Sequence, residues 1–187
     1  MSSPTSRPSG AARFPVTGPL DLHRTVRATA LWGGASWLRT DRTGAWYADR
    51  TPDGPATLRL TLTNGVLNAT AWGPGSDRIL RRAPDIAGLD DDPSTVRAHH
   101  PLVAQALRLA PGARIGRLDR IFPTLVGAIV GQKVTGLESQ RSLRQLARVH
   151  GERAPGPRDD LWLLPTPRTL RDLPYAAYHP LGIDRRR

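Results

Sequence analysis

The sequence predicts an α+β fold in which an N-terminal antiparallel β-sheet domain is followed by helices. Alternating apolar and polar residues, typical of strands, are confined to the first half of the chain, whereas apolar residues three and four apart dominate from Pro101 onward. Between the two patterns lies GLDDDPSTV, in which three carboxylates precede a proline. We therefore predict a disordered leader over residues 1–17, a sheet domain with a short helix over 18–87, a linker over 88–98 and a helical lobe over 99–187.

Two alternating runs joined by Asn64-Gly65, TLRLTLTNGVLNATAW, are the clearest local pattern. Asn-Gly favours a two-residue type I′ turn because both positions need positive φ, so a β-hairpin is predicted. The turn pairs Thr63 with Val66, Leu62 with Leu67, Leu60 with Ala69 and Leu58 with Ala71. The opposite face is predicted to meet water and carries Arg59, Thr61, Asn68, Thr70 and Trp72. Further strands are predicted at residues 19–22 and 45–48, since an isolated hairpin is marginal in water.

Helical patterns begin after the sheet. A short helix is predicted over residues 77–82, with Ser76 placed to cap it. A longer one, in HPLVAQALRLAPG, places Leu102 and Leu109 on one face and stops at a Pro-Gly pair. Asp119 is predicted to cap the helix that follows. The leader, by contrast, consists of prolines among small polar residues and offers little apolar surface to bury.

The longest apolar run, IFPTLVGAIV, is predicted to be a central helix because it is apolar nearly all round. Pro123 falls in its first turn, where the missing N–H is tolerated, and Gly131 marks its end. An amphipathic helix follows over residues 137–150, with Leu143 and Leu146 facing inward. Five residues form the corner between these two helices: Gln132, Lys133, Val134, Thr135 and Gly136.

The formal net charge of +11 and the isoelectric point near 11.5 favour a polyanionic partner, nucleic acid above all, because basic side chains displace counterions from phosphates. All but one of the 27 basic residues are Arg, which GC-rich coding would also produce, so charge alone leaves both interpretations open. The absence of Cys excludes disulfides, thiolate metal sites and a Cys nucleophile. No secretory signal or membrane-spanning run is recognised, and the protein is predicted to be cytoplasmic.

No catalytic residue, metal ligand or cofactor site is predicted from the remaining motifs. The five His residues lack metal-ligand spacing, and His99-His100 is interpreted as a solvated helix start. The run Asp90-Asp91-Asp92 is interpreted as a turn and helix cap. The tryptophans are predicted to be core or half-buried residues: Trp32, Trp37, Trp46, Trp72 and Trp162.

Two segments resemble the bacterial alkylation-repair DNA glycosylases of the helix-hairpin-helix superfamily, the 3-methyladenine DNA glycosylase II type. GLDDDPS is similar to that family's linker between sheet and helical core, and IFPTLVGAIVGQKVTGLESQRSLRQLARVHG is similar to the start of the core. The resemblance covers most of the chain from about Gly18. It implies that the helical lobe is the first part of an all-α glycosylase core.

The resemblance implies base-excision repair of double-stranded DNA, with the corner entering the minor groove while a base is flipped out. Gln132 would face base edges, Lys133 would reach a phosphate or the groove floor, and Gly136 would let the backbone approach closely. Some relatives carry an apolar wedge where Lys133 stands. The alternative is that Gln132 and Thr135 simply cap the two helices.

The family's activity is implied to be hydrolysis of the N-glycosidic bond of alkylated purines, assisted by an Asp that follows a Leu-x-Gly-Ile-Gly hairpin. Neither occurs in these 187 residues, and Asp184, in HPLGID, is not assigned the role. This chain alone is therefore predicted to be inactive, with a non-catalytic DNA-binding protein and a plain interaction module as alternatives. Leu125, Ile129, Leu143 and Leu146 are expected to lack helices to pack against.

Overall fold

The computed structural model describes residues 7–29 and 36–184. It confirms the α+β fold, with one five-stranded antiparallel sheet in the order β1-β5-β4-β3-β2 and a small β6-β7 ribbon. The strands are β1 (Gly10–Pro15), β2 (Leu38–Asp41), β3 (Gly44–Thr51), β4 (Gly54–Thr63), β5 (Val66–Trp72), β6 (Glu152–Arg153) and β7 (Trp162–Leu163). The α-helices of the described residues are α1 (Leu22–Ala28), α2 (Ser76–Arg81), α3 (Ala83–Ile86), α4 (Pro101–Leu109), α5 (Ile121–Val130), α6 (Gly136–His150), α7 (Pro167–Asp172) and α8 (Tyr175–Tyr178).

The β4–β5 hairpin has the predicted register. Asn64 and Gly65 both have positive φ, at 51° and 72°, as a type I′ turn requires. Thr63 pairs with Val66, and the other three predicted pairs follow in step along the ladder. The strand predicted at residues 45–48 is also confirmed, as the centre of β3.

The prediction of a disordered leader is wrong for residues 10–15, which form β1. This strand pairs along its whole length with β5, from Gly10 opposite Ala71 to Pro15 opposite Val66. Phe14 packs against the core, and Pro15, which lacks an N–H, stands at the strand's end on the edge of the sheet. Residues 1–6 of the predicted leader lie outside the described part.

The strand predicted at residues 19–22 is also wrong, because this segment leads into α1. Asp21 caps that helix: its Oδ1 accepts a hydrogen bond from Arg24 N at 2.9 Å. A carboxylate that satisfies a free N–H favours helix initiation over continued extension. The helix then packs its buried Val26 against β3.

The main core lies between the sheet and helices α1 to α3. The inner face of the sheet contributes fully buried Tyr47, Leu58, Leu60 and Leu67. Helix α2 packs across β4 and β5 through Ile79, so the amphipathic sheet is covered on this side. Full burial of such side chains stabilises the fold by about 1.5–3 kcal/mol each.

The outer face is partly covered, which corrects the prediction for Trp72. Arg59, Thr61, Asn68 and Thr70 are half-buried, but Trp72 is only 5% exposed. Its ring lies 5.4 Å from that of Trp46, and the chain passes so closely that a Cβ added at Gly156 would lie 3.1 Å from Trp72 Cγ. The β6–β7 ribbon was not predicted in the helical half because two-residue strands leave no periodic pattern.

Asp160 ties the ribbon connection to the sheet. Its carboxylate accepts hydrogen bonds from Arg158 Nε at 2.7 Å and Arg39 Nε at 2.9 Å, and its backbone carbonyl accepts from Arg39 Nη2 at 2.8 Å. Hydrogen bonding to Arg158 holds the pKa of the Asp160 carboxyl below its usual range. The ionised form is therefore favoured by folding.

Because the folded-state pKa of Asp160 is lowered, its contribution to stability is present above the unfolded pKa of about 3.9 and is lost as pH falls through the folded value. Asp160→Asn should therefore be less stable than wild type at pH 7, and the gap should narrow below about pH 4. Urea midpoints across this pH range measure the gap. An unchanged gap at low pH would assign the effect to packing rather than charge.

Two predicted helix caps are wrong. Gly75, not Ser76, occupies the N-cap of α2. A Cβ at position 75 would lie 2.3 Å from Thr51 Oγ1, so the close packing there requires glycine. Arg120, not Asp119, occupies the N-cap of α5 and makes no side-chain capping hydrogen bond. The predicted helices themselves are confirmed in both places.

The helical half is unevenly packed. Helix α4 has no buried residue, and Leu102 and Leu109 are 67% and 68% exposed. Leu143 and Leu146 of α6 are fully buried, contrary to the expectation that they lack partners, whereas Leu125 and Ile129 of α5 are exposed as expected. Within the described ranges, no helix is both long enough and apolar enough to cross a bilayer.

Candidate nucleic-acid interface

The corner joins two anchored helices. Helix α5 ends at Gly131, with Val126 and Val130 buried beneath it, and α6 begins at Gly136. Leu143 and Leu146 fix α6 to the core along its inner face. The corner is therefore held at both ends by packed helices, which limits its freedom to move.

Thr135 is the N-cap of α6, as the capping alternative predicted. Its hydroxyl oxygen accepts from Glu138 N at 3.3 Å, while Glu138 Oε2 accepts from Thr135 N at 2.9 Å. This reciprocal arrangement is a capping box, which satisfies two backbone donors. Thr135 therefore shapes the corner, and its hydroxyl is already engaged within it.

Gln132 and Lys133 are exposed at the tip of the corner. The capping alternative is wrong for Gln132: its backbone N–H donates to Ile129 O at 3.1 Å, and its side chain makes no hydrogen bond to any described residue. Val134 is half-buried, whereas Gly136 is exposed and an added Cβ there would meet nothing within 4 Å. The polar tip is thus open to solvent.

Lys133 has a strained backbone conformation. Its φ is +60°, in the left-handed region that non-glycine residues avoid at a cost of order 1–3 kcal/mol. Nearby Gly131 has φ −78° and does not need the freedom of glycine for its own conformation. A lysine in a position that glycine would occupy without strain motivates a functional hypothesis for the lysine side chain.

The outward face of α6 extends the positive charge of the corner. Arg141 and Arg148 are exposed and seven positions apart, so they lie on one face about two turns from each other. Glu138, the one acidic residue of α6, is engaged in the capping box. The outward face of α6 therefore carries net positive charge, which favours binding to a phosphate backbone.

Arg120, which the sequence analysis overlooked, anchors α5 to the sheet. Its guanidinium stacks over Trp37 at 4.4 Å and over Tyr47 at 5.5 Å, and its Nε lies 3.0 Å from Asp49 Oδ1. Asp49 also accepts from Tyr47 Oη at 3.1 Å, and burial raises the pKa of the Tyr47 phenol. The only feature of the sequence that could have indicated this role is an Arg immediately before an apolar helix.

The other predicted residues lie as follows. His100 Nδ1 accepts from Leu102 N at 3.2 Å, so His100 caps α4 and confirms the predicted helix start. Asp92 caps a short 3₁₀ turn in the linker through Ser94 N. Asp184 is exposed beside an apolar groove of about 300 Å³. Trp32 lies outside the described residues, whereas Trp37, Trp46 and Trp162 are buried or half-buried as predicted.

By sequence, the chain matches no protein-family model and no curated protein. Its structure is similar to that of MBOgg1 in complex with a low-affinity DNA ligand, with a TM-score of 0.70 at 17% identity over 99% of this chain and 62% of that one. It is also similar to the 3-methyladenine DNA glycosylase from Archaeoglobus fulgidus, with a TM-score of 0.73 at 11% identity over 94% and 63%. The chain has a DNA glycosylase fold.

A third similar structure is the 8-oxoguanine glycosylase/lyase from Clostridium acetobutylicum, with a TM-score of 0.66 at 11% identity over 92% of this chain and 58% of that one. This chain thus spans about three fifths of the length of the glycosylases it matches. The similar structures include a 3-methyladenine glycosylase and an 8-oxoguanine glycosylase/lyase. The fold alone therefore does not indicate which damaged base a protein of this fold acts on.

Proposed function

We propose that this chain is the DNA-binding part of a base-excision repair glycosylase and that the corner enters the minor groove of duplex DNA. The observation that carries the proposal is Lys133, exposed and in the left-handed conformation at the tip of the corner. The glycosylase fold of the chain supports it, as does the net charge of +11.

The corner has the chemistry that base flipping requires. Extruding a base costs a few kcal/mol, which side chains recover by filling the vacated space and holding the duplex bent. Gln132 can donate to and accept from base edges, and Lys133 can neutralise a phosphate or reach the groove floor. Val134 and Thr135 support the tip from within the corner, since Val134 is half-buried and Thr135 caps α6.

The finer proposal is that the substrate is duplex DNA with alkylated purines, as in the 3-methyladenine DNA glycosylase II type. It rests on the resemblance of the corner and linker sequences. Hydrolysis of the N-glycosidic bond would need the hairpin and Asp that these 187 residues lack, so we infer that this chain alone binds duplex DNA without releasing bases. The same absence favours the second candidate, a non-catalytic DNA-binding protein.

Lys133→Ala should weaken binding to a fluorescent DNA duplex by about threefold to tenfold and reduce the slope of log affinity against log salt by about one, because one cation is lost. Fluorescence anisotropy at several salt concentrations measures both values. Arg42→Ala is the matched control, since Arg42 is an exposed arginine in the β2–β3 turn. An equal loss in both variants, or none in either, would remove the corner from the interface.

Gly136→Ala tests contact with DNA at position 136 separately from the stability of the fold. The added Cβ meets no atom within 4 Å, and alanine has the better helix propensity, so thermal stability should be equal to or slightly above wild type. Duplex affinity should nevertheless fall by about threefold, because the methyl group occupies space that a DNA backbone would approach. Unchanged affinity in anisotropy would show that DNA does not approach position 136.

Base release distinguishes the two candidate functions. Methylated duplex incubated with the 187-residue chain should release bases no faster than duplex alone. The same assay on a longer product of the locus, if one carries the hairpin and Asp, should show release. Release by these 187 residues would contradict their assignment as inactive and would require another carboxylate, with Asp184→Asn as the first variant to test.

A further inference from the structure

A basic cavity lies away from the corner, where the sheet meets the helical half. It has a volume of about 500 Å³ and is formed by the end of β3, helix α2, the start of α5 and residues 163–167. This volume falls within the range of about 300–1,000 Å³ that is typical of small-molecule sites. The described residues that line it include four arginines: Arg50, Arg78, Arg82 and Arg120.

Two of these arginines form the inner floor of the cavity. Arg120 and Arg82 share Asp49, at 3.0 Å from Arg120 Nε and 3.4 Å from Arg82 Nη1, and Arg82 also lies 3.6 Å from Asp119. One buried carboxylate is therefore divided between two guanidinium groups. Arg82 Nε and Arg120 Nη1 have no hydrogen-bond partner among the described residues, so two buried donors of the floor are unsatisfied.

The other two arginines stand at the mouth. Arg50 Nη1 lies 2.7 Å from Glu152 Oε1, so this arginine is neutralised. Arg78 is exposed on α2 and makes no ion pair with the described residues. Four guanidinium groups thus face three carboxylates, those of Asp49, Asp119 and Glu152. The cavity keeps a net positive charge, with Arg78 free to turn toward a ligand.

The walls of the cavity are apolar. Phe122 and Leu164 line it, together with Pro52 and Pro165. A flat, partly apolar group such as a nucleobase is favoured by such walls, whereas a bare ion would leave them in contact with water. Arginine guanidinium groups match the geometry of phosphate oxygens and bind them through paired hydrogen bonds.

We propose that this cavity binds a nucleotide, with its phosphate on Arg78 and Arg82 and its base against Phe122 and the prolines. The nucleotide is either free or part of a DNA strand, since both present the same phosphate and base. The site is separate from the corner and goes beyond the proposed function. It does not depend on base release or on the groove contact of Lys133.

Isothermal titration calorimetry of the 187-residue chain with dAMP tests the proposal, with inorganic phosphate as the second probe. dAMP should bind saturably, and inorganic phosphate should bind at least about fivefold more weakly because it cannot use the walls. Arg78→Ala should weaken dAMP binding by about tenfold, and Arg78→Glu should abolish it. Arg81→Ala is the matched control, an exposed arginine of α2 that does not line the cavity.

Each outcome has one meaning. Binding of dAMP that depends on Arg78 and not on Arg81 supports a free nucleotide as ligand. Binding of a single-stranded oligonucleotide with the same dependence, when dAMP does not bind, supports a strand phosphate. The proposal is overturned if neither dAMP nor the oligonucleotide shows binding that depends on Arg78. Lys133→Ala should leave dAMP binding unchanged, so this test and the test of the corner can fail independently.

Discussion

Asp49→Ala should lower the free energy of unfolding by about 3–5 kcal/mol, because it leaves a buried arginine without its carboxylate. The side chains of Asp49 and Arg120 are only 7% and 4% exposed, so solvent cannot replace the lost partner. Tyr47 Oη would lose its acceptor in the same variant. An unpaired buried charge is much more costly than a missing exposed ion pair.

The control for this prediction is Asp41→Ala. Asp41 also pairs with an arginine, at 3.0 Å from Arg59 Nη1, but its side chain is 43% exposed. Hydrogen bonding to Arg59 lowers the pKa of Asp41, yet solvent screening limits the contribution of this ion pair to about 1 kcal/mol or less. Urea unfolding at pH 7 measures both variants. A loss below about 1 kcal/mol for Asp49→Ala would mean that water reaches Arg120.

The stability of this ion pair bears on the proposed function. Arg120 stands at the N-cap of α5, and the corner follows the other end of that helix. If α5 is no longer fixed to Trp37 and Tyr47, the tip should be presented in more orientations, and duplex affinity should fall although no corner residue has changed. Loss of duplex affinity in Asp49→Ala would therefore assign Arg120 a positioning role for the corner.

Features set by neighbours in sequence could be predicted. The Asn64-Gly65 turn fixed the register of the β4–β5 hairpin, because both residues adopt a positive φ that few residue types tolerate. Gly131 marked the end of α5 because the apolar helical pattern stops there, although its φ of −78° does not require glycine. Leu143 and Leu146 were placed on the inner face of α6 by helical spacing alone. In each case the decisive interaction lies within a few residues.

Features set by distant neighbours could not be predicted. Strand β1 is ordered by pairing with β5, far along the chain, and its own composition is that of a flexible segment. Trp72 was predicted to face water because the connection that buries it follows much later in the chain, at Gly156. Local propensity is a weak guide where tertiary contacts decide the outcome.

The corner combines both kinds of feature. Its five residues were located from the break between two helical patterns, and the capping box of Thr135 with Glu138 follows a known sequence spacing. The left-handed backbone of Lys133 has no sequence signal, because glycine is the residue expected at such a position. The departure from that expectation is what makes Lys133 a candidate for function.

Val126→Asp and Leu125→Asp should differ sharply although the residues are adjacent on α5. Val126 is 8% exposed and faces the core, so a carboxylate there should lower the free energy of unfolding by more than about 3 kcal/mol. Leu125 is 55% exposed in an apolar stripe with Ile121 and Ile129, which are 85% and 39% exposed. The same substitution there should change the free energy by about 0.5 kcal/mol or less.

The two variants also report on whether the stripe is available to a partner. An exposed apolar stripe promotes association, so Leu125→Asp should reduce self-association in sedimentation velocity while urea unfolding stays near wild type. Equal destabilisation by both substitutions would mean that Leu125 is packed in solution. Leu125→Asp introduces a negative charge on this exposed face of α5 without changing any residue of the corner, so it tests the face by itself.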